Sequence, residues 1–353
     1  MLGRLKTNLA LANIPQVFDI MTIMPSARRL LLVAITISLL GFALSISAQS
    51  PGNPGAPSNP TMVGRRLDDD KEALYAQFTD YKRNPNPEQQ RYAYPTAKAY
   101  LRRFGGDTDN ETKEVQRFVA EYERAMHEHE LYAVYGAKNY LKTFELGRPL
   151  LKSDPENFFA LGIMAEAGYD SALTGNGSLN VETIDYAKRA IRLIEDNKVS
   201  KADPFKSMDI ARGFLNFALG WFLKDEDPVA AAVAFTKAVQ TDSPYRTDPA
   251  AYHRLGISIL RGEFTQFSAL YNEKFGNKPP SPEQTAMLER IKHLAGRAID
   301  AYARAVALST RPEQQDAKNK ILVQLSALYK NFHNGSDASL NELISTVLSK
   351  PMP

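Results

Sequence analysis

The chain has 353 residues, 44% hydrophobic and 24% charged, a globular balance that argues against wholesale disorder. Its net charge of +3 resides at the amino terminus, since setting aside Arg4, Lys6, Arg28, Arg29 and Asp19 leaves 39 basic and 39 acidic residues. A neutral remainder lacks the concentrated basic face that phosphate binding needs, so no nucleic acid partner is expected. The absence of cysteine excludes disulfides, thiolate zinc sites and a cysteine nucleophile.

Directly after Arg28 and Arg29, residues 30–48 read LLLVAITISLLGFALSISA without a single charge. A basic start, an apolar run and small residues before Gln49 form the pattern of a secretory signal peptide, with cleavage expected after Ser47 or Ala48. The competing reading is an uncleaved membrane anchor, because 19 helical residues would span roughly 28 Å. Gly41, Ser45 and Ser47 weaken the distal end and favour cleavage. Met21 and Met24 stand just upstream, so residues 1–20 are expected to be a mis-assigned start. Either way the remainder lies outside the cytoplasmic membrane, in the periplasm or attached to the cell envelope, because the arginines stay inside. The only expected membrane contact is through this segment. Residues 49–67, rich in Pro, Gly, Ser and Asn, are expected to be a linker.

Beyond Asp68, long apolar-periodic segments alternate with short breaks of one chemistry. Asn86-Pro87, Asp154-Pro155, Asp203-Pro204, Asp227-Pro228, Asp248-Pro249 and Ser281-Pro282 each put a capping side chain before a proline. Asn86 with Gln89, and Ser281 with Gln284, add the spacing of a capping box. The acidic run Asp68–Asp70 suits a helix N-terminus, where carboxylates complement the dipole. Repeated helix starts with almost no alternating stretches predict an all-α protein.

The helices also pair. Leu215, Ala218, Leu219 and Phe222 form one stripe, and after a short break the next helix presents Ala231, Phe235 and Ala238. The same alanine–aromatic–alanine spacing returns as Ala298, Tyr302 and Ala305, with looser copies at Thr183, Ala187, Ala190 and at Thr143, Gly147, Leu150. With Leu219-Gly220 and Leu255-Gly256 ahead of the two good copies, and Pro244 and Pro312 after them, the chain resembles the tetratricopeptide repeat (TPR) family. That resemblance implies a right-handed superhelical stack of antiparallel helical hairpins, a TPR-like α-solenoid, over residues 68–350. Six hairpins are expected, at about 69–104, 112–152, 157–196, 204–241, 249–309 and 312–348, the first carrying Pro95 in its second helix. The positions equivalent to alanine, 150, 190, 238 and 305, lie 40, 48 and 67 apart, against a family period of about 34. Insertions at 174–180, 197–202 and 264–280 account for the excess.

Chemistry is sparse. His127 and His129 diverge by roughly 200° on a helix and cannot share an ion, so no metal site is expected. No nucleophile elbow, phosphate-cradling loop or dinucleotide fingerprint occurs, and neither a cofactor nor catalytic residues are expected.

The family's groove positions, carried onto this chain, are Glu166, then Phe217 and Trp221, then His253, Ile257 and Arg261. Phe217 and Trp221 have a simpler reading as an aromatic pair packed at the hairpin interface. The lysine and asparagine set with which some members hold a partner's terminal carboxylate is not reproduced. The resemblance implies a protein- or peptide-binding scaffold or assembly adaptor. Its rivals are a helical envelope enzyme acting on glycans through a carboxylate pair, and a self-associating structural module. Cleavage of the signal should give an exported protein whose first residue is Ala48 or Gln49 by N-terminal sequencing; an intact start on the exported protein would mean a membrane anchor.

Overall fold

The computed structural model describes residues 60–276, 278–279 and 281–352, with side chains described from residue 69 onward. The expected export signal and most of the expected linker lie outside the described residues. The chain forms two compact units, Met1–Ala73 and Leu74–Pro353. Of the first, only the start of helix α1 (Pro60–Arg83) is described, so the linker segment is already helical from Pro60. Asp68–Asp70 therefore lie inside a helix rather than at its N-terminus, and the dipole argument does not apply to them.

Every described element is helical. After α1 come α2 (Pro87–Gln90), α3 (Ala93–Phe104), α4 (Asn110–Gly136), α5 (Tyr140–Ser153), α6 (Phe158–Leu173) and α7 (Asn180–Glu195). The chain continues through α8 (Met208–Leu223), α9 (Pro228–Gln240), α10 (Pro249–Ile259), α11 (Thr265–Phe275), α12 (Pro282–Leu308), α13 (Gln315–Phe332) and α14 (Leu340–Thr346).

Four of the six proline-marked starts hold. Asn86, Asp227, Asp248 and Ser281 each accept a first-turn amide, Asp227 from Ala230 at 3.0 Å and Ser281 from Gln284 at 3.1 Å. The other two do not. Asp154 closes α5, and Asn157, three residues on, caps α6 by accepting from the Ala160 amide. Pro204 and Phe205 pack over Gly162 instead, and Ser207 caps α8. Gln284 does not complete a capping box: its Oε1 accepts no hydrogen bond, while its Nε2 donates to the Tyr271 hydroxyl at 3.0 Å. Pro95 is harmless: it sits in the first turn of α3, where its missing N–H had no partner.

Successive helices pack side by side as hairpins, α4 on α5, α6 on α7, α8 on α9 and α10 on α12, and each pair packs on the next. The sixth hairpin is different from expectation, since α14 returns onto α12 rather than pairing with α13. The expected insertion at 264–280 is mostly helix α11, reached through a π-helical turn in which Gly262 leaves helical geometry.

Close approach is set by glycines facing a side chain across each pair. A Cβ added to Gly220 would stand 3.0 Å from the Phe235 ring, and one on Gly256 would stand 2.6 Å from the Tyr302 ring. Ala231, Ala238, Ala298 and Ala305 are fully buried around these rings, and Leu255 with them, while Leu219 is half-buried. The looser copies use the same device with other partners, Gly147 against Met164 and Gly168 against Thr183.

Two large cores, one from Leu131 to Ala218 and one from Phe217 to Val347, are bridged by Tyr169 and Tyr245, which pack against both. A smaller third core joins Phe78, Tyr100, Phe104, Val115 and Val119. Helix α4 serves two of these cores, with Val115 and Val119 at one end and Leu131 at the other. Between them the stretch 120–130 is exposed except for Glu123 and Glu128, and His127 and His129 both lie on it facing solvent.

Gly256→Ala should destabilise the protein by about 1–2 kcal/mol, as overpacking against Tyr302 outweighs the better helix propensity of alanine. The loss should shrink in a Tyr302→Leu background by about 0.5 kcal/mol or more, read from urea melts of the four proteins. Strict additivity would show that this contact does not set the spacing.

Candidate functional site

The expected groove positions divide sharply between core and surface. Helix α6 is buried on every side from Ala160 to Gly168, because α4, α5, α7 and α8 all pack against it. Glu166 is part of that buried run and lines no open surface, which corrects its assignment. Phe217 is likewise core: it stacks on Tyr245 at 4.4 Å and meets the edge of Phe235 at 5.7 Å. The interface-packing reading of Phe217 is the right one, and Phe217 leaves the set of groove residues.

Trp221 stands one turn further along α8 and is half-buried. It meets Tyr169 edge-on at 5.5 Å and Phe222 at 5.0 Å, while Lys224 Nζ sits 4.5 Å from its ring centre. This Lys224 also donates to Asp225 Oδ2 at 2.8 Å, and Arg261 Nη1 reaches Asp225 Oδ1 at the same distance. Hydrogen bonding from Lys224, then from Arg261, holds the Asp225 carboxyl below the usual range against the opposing effect of burial. The Asp225–Arg261 pair ties the end of α8 to the end of α10. Both partners are more than a third exposed, so the tie positions the surface more than it stabilises the fold.

Helix α10 buries Ala251, Tyr252, Leu255, Gly256, Ser258 and Ile259. What it leaves half-buried is a stripe of Ala250, His253, Arg254 and Ile257, which ends at exposed Arg261. Arg261, in the turn that follows α10, meets the end of α8 through Asp225. His253 leans on the Tyr302 ring at 5.6 Å, and its Nε2 is 2.9 Å from Gln324 Oε1 of α13. Burial pushes the His253 pKa down, partly opposed by the Gln324 hydrogen bond, with the Arg254 charge lowering it further.

Arg254 escaped the sequence reading. The signal was present, since residues 250, 254, 257 and 261 share the spacing of one helical face. A family register gave the histidine beside it priority.

Two carboxyls are raised by burial, Asp248 and Asp300. Each has a structural bond: Asp248 accepts the Ala250 amide at the start of α10, and Asp300 holds Arg304 Nε at 2.6 Å. Among the described residues no cluster of three or more His, Asp or Glu is arranged to hold a metal, and no helix is long and apolar enough to cross a membrane. A shallow depression on α13, lined by Leu322, Val323, Ser326, Ala327 and Lys330, leaves Val323 70% exposed. No protein-family model matches the chain, and neither a curated protein nor a solved structure matches it.

His253 should titrate below the ordinary histidine value of ~6.5 in NMR spectra, and Gln324→Ala should lower its midpoint further. Because the folded state binds this proton more weakly than the unfolded chain, stability should fall as pH drops through ~6.5 towards the folded value. Replacing His253 with phenylalanine should flatten that part of the urea-midpoint profile; an unchanged slope would assign it to another group.

Proposed function

We propose that this protein is an exported scaffold or assembly adaptor of the cell envelope, a TPR-like right-handed superhelical array of hairpins that holds another protein or peptide. The observation that carries it is the surface joining the ends of α8 and α10. There Trp221, Lys224, Asp225 and Arg261 offer aromatic and charged groups side by side, and half-buried Ile257 and His253 continue along α10. Such a mixed strip suits the large aromatic and arginine anchors that dominate protein interfaces. Stacked hairpins support it because each buries its own apolar face against its neighbours and leaves one side available along the array. Export through residues 30–48 places that partner in the periplasm or on the envelope.

The exposed Val323 face of α13 favours the self-associating alternative, as apolar surface at the last long helix of an array invites a second copy. One experiment separates the two. Affinity capture from envelope extracts should recover a specific protein with the native chain and several-fold less of it with Trp221→Ala, His253→Ala and Arg261→Ala combined. Circular dichroism melts would confirm that the variant is folded. Equal recovery from both would sink the strip as the binding surface, and recovery of a second copy of this chain alone would establish the architectural role.

A further inference from the structure

The least explained charged side chain on this strip is Arg254. It lies half-buried at the centre of the α10 stripe, between Ala250 and Ile257. Its Nε is buried without a hydrogen-bond partner, and among the described residues no carboxylate forms an ion pair with its guanidinium. The carboxylates that act on it through space are Asp248 and Asp225, and both are engaged elsewhere: Asp248 caps α10 and Asp225 is shared by Lys224 and Arg261. Burial destabilises the charged form of Arg254, so the side chain sits in a place that favours a bound anion.

Among the cations near Asp225, Lys224 donates to it and Arg261 pairs with it, whereas Arg254 makes no bond to it. Lys224 and Arg261 already share that carboxylate, which leaves the planar fork of Arg254 with its hydrogen bonds unmade. A guanidinium fork matches a carboxylate in two parallel bonds. The neighbouring rings of Tyr169 and Trp221 add apolar area on which the stem of an acidic residue and its neighbours can lie. The partner's recognition element is thus an acidic segment that alternates carboxylates with apolar side chains.

We infer that Arg254 is the receptor for an aspartate or glutamate side chain of a partner protein, docked along the half-buried stripe of α10. The inference rests on the scaffold function and specifies the chemistry of its partner.

Trp221 is the chain's only tryptophan, and its edge contact with Tyr169 makes its fluorescence a reporter for this strip. Titrating the full chain with poly-L-glutamate at low salt should shift Trp221 emission saturably. Arg254→Met, which keeps the apolar stem, should weaken the apparent affinity by about tenfold or more, as the loss of a charge-assisted pair requires. Arg254→Lys keeps the charge and loses the fork, so it should fall between the two, and it carries the test if the methionine variant melts early.

Three results would overturn the assignment. One is no response of the native protein to poly-L-glutamate. Another is affinity of both variants within about twofold of native. The third is equally tight, equally Arg254-dependent binding of oligothymidylate, which would make the site a phosphate receptor. If poly-L-glutamate fails while envelope capture still depends on Trp221 and Arg261, the scaffold function survives and the role of Arg254 does not. If capture fails while Arg254-dependent binding persists, the reverse holds.

Discussion

The distance between paired helices is fixed where a glycine on one faces a side chain on the other. At Gly256 the Tyr302 ring occupies the space where a Cβ would be, and at Gly220 the Phe235 ring does the same. Alanines on either side of each ring let the backbones close around it. Tyr302 is so thoroughly enclosed that burial alone drives its hydroxyl pKa upward. This contact also decides what is left over. Because α10 turns Leu255, Gly256 and Ile259 into the core with α9 and α12, it leaves Ala250, His253, Arg254 and Ile257 half-buried. The strip is the remainder of a packing solution.

The same packing explains why the surface opens at α10 and closes at α6. Helix α6 has neighbours on four sides, with α4 and α8 packed against it in addition to α5 and α7. It is correspondingly apolar around its whole circumference, and Glu166 is enclosed along with the rest. Around α10 the arrangement is looser. Helix α9 packs on both α8 and α10, and the ends of those two are spanned by the Asp225–Arg261 ion pair. A polar bridge in place of an apolar seam keeps the strip half-open to water.

The hairpin framework was legible in the sequence because it depends on local signals: capping side chains, prolines at first turns, and alanine–aromatic–alanine spacing. The misreadings occurred where local signals competed. Asp154-Pro155 has the composition of a helix start, yet Asn157 caps α6 one turn later and Asp154 becomes the end of α5. Asp203-Pro204 resembles a cap, but its proline and Phe205 are taken by contact with Gly162, a long-range event that spacing cannot reveal. The return of α14 onto α12 is likewise tertiary. At the site, the groove positions implied by the repeat resemblance did not separate half-buried Trp221 from Phe217, four residues away and buried against Tyr245. Arg254 shares the helical face of Ala250 and Ile257, but its unpartnered Nε is a tertiary property that spacing cannot reveal.

That absence bears on why an arginine stands at position 254 at all. Ile257, next on the same stripe, shows that an apolar side chain is accommodated there, and apolar replacement of a buried unpaired charge commonly stabilises a fold. The carboxylates that act on it have structural reasons to be present: Asp248 caps a helix and Asp225 bridges two cations. Arg254 contributes no such bond. It dehydrates a cation and leaves Nε without an acceptor, a cost that folding by itself does not recover. A carboxylate arriving from outside would meet the outer guanidinium nitrogens and offset the burial of the charge, since a pair shielded from water interacts more strongly than one exposed to it.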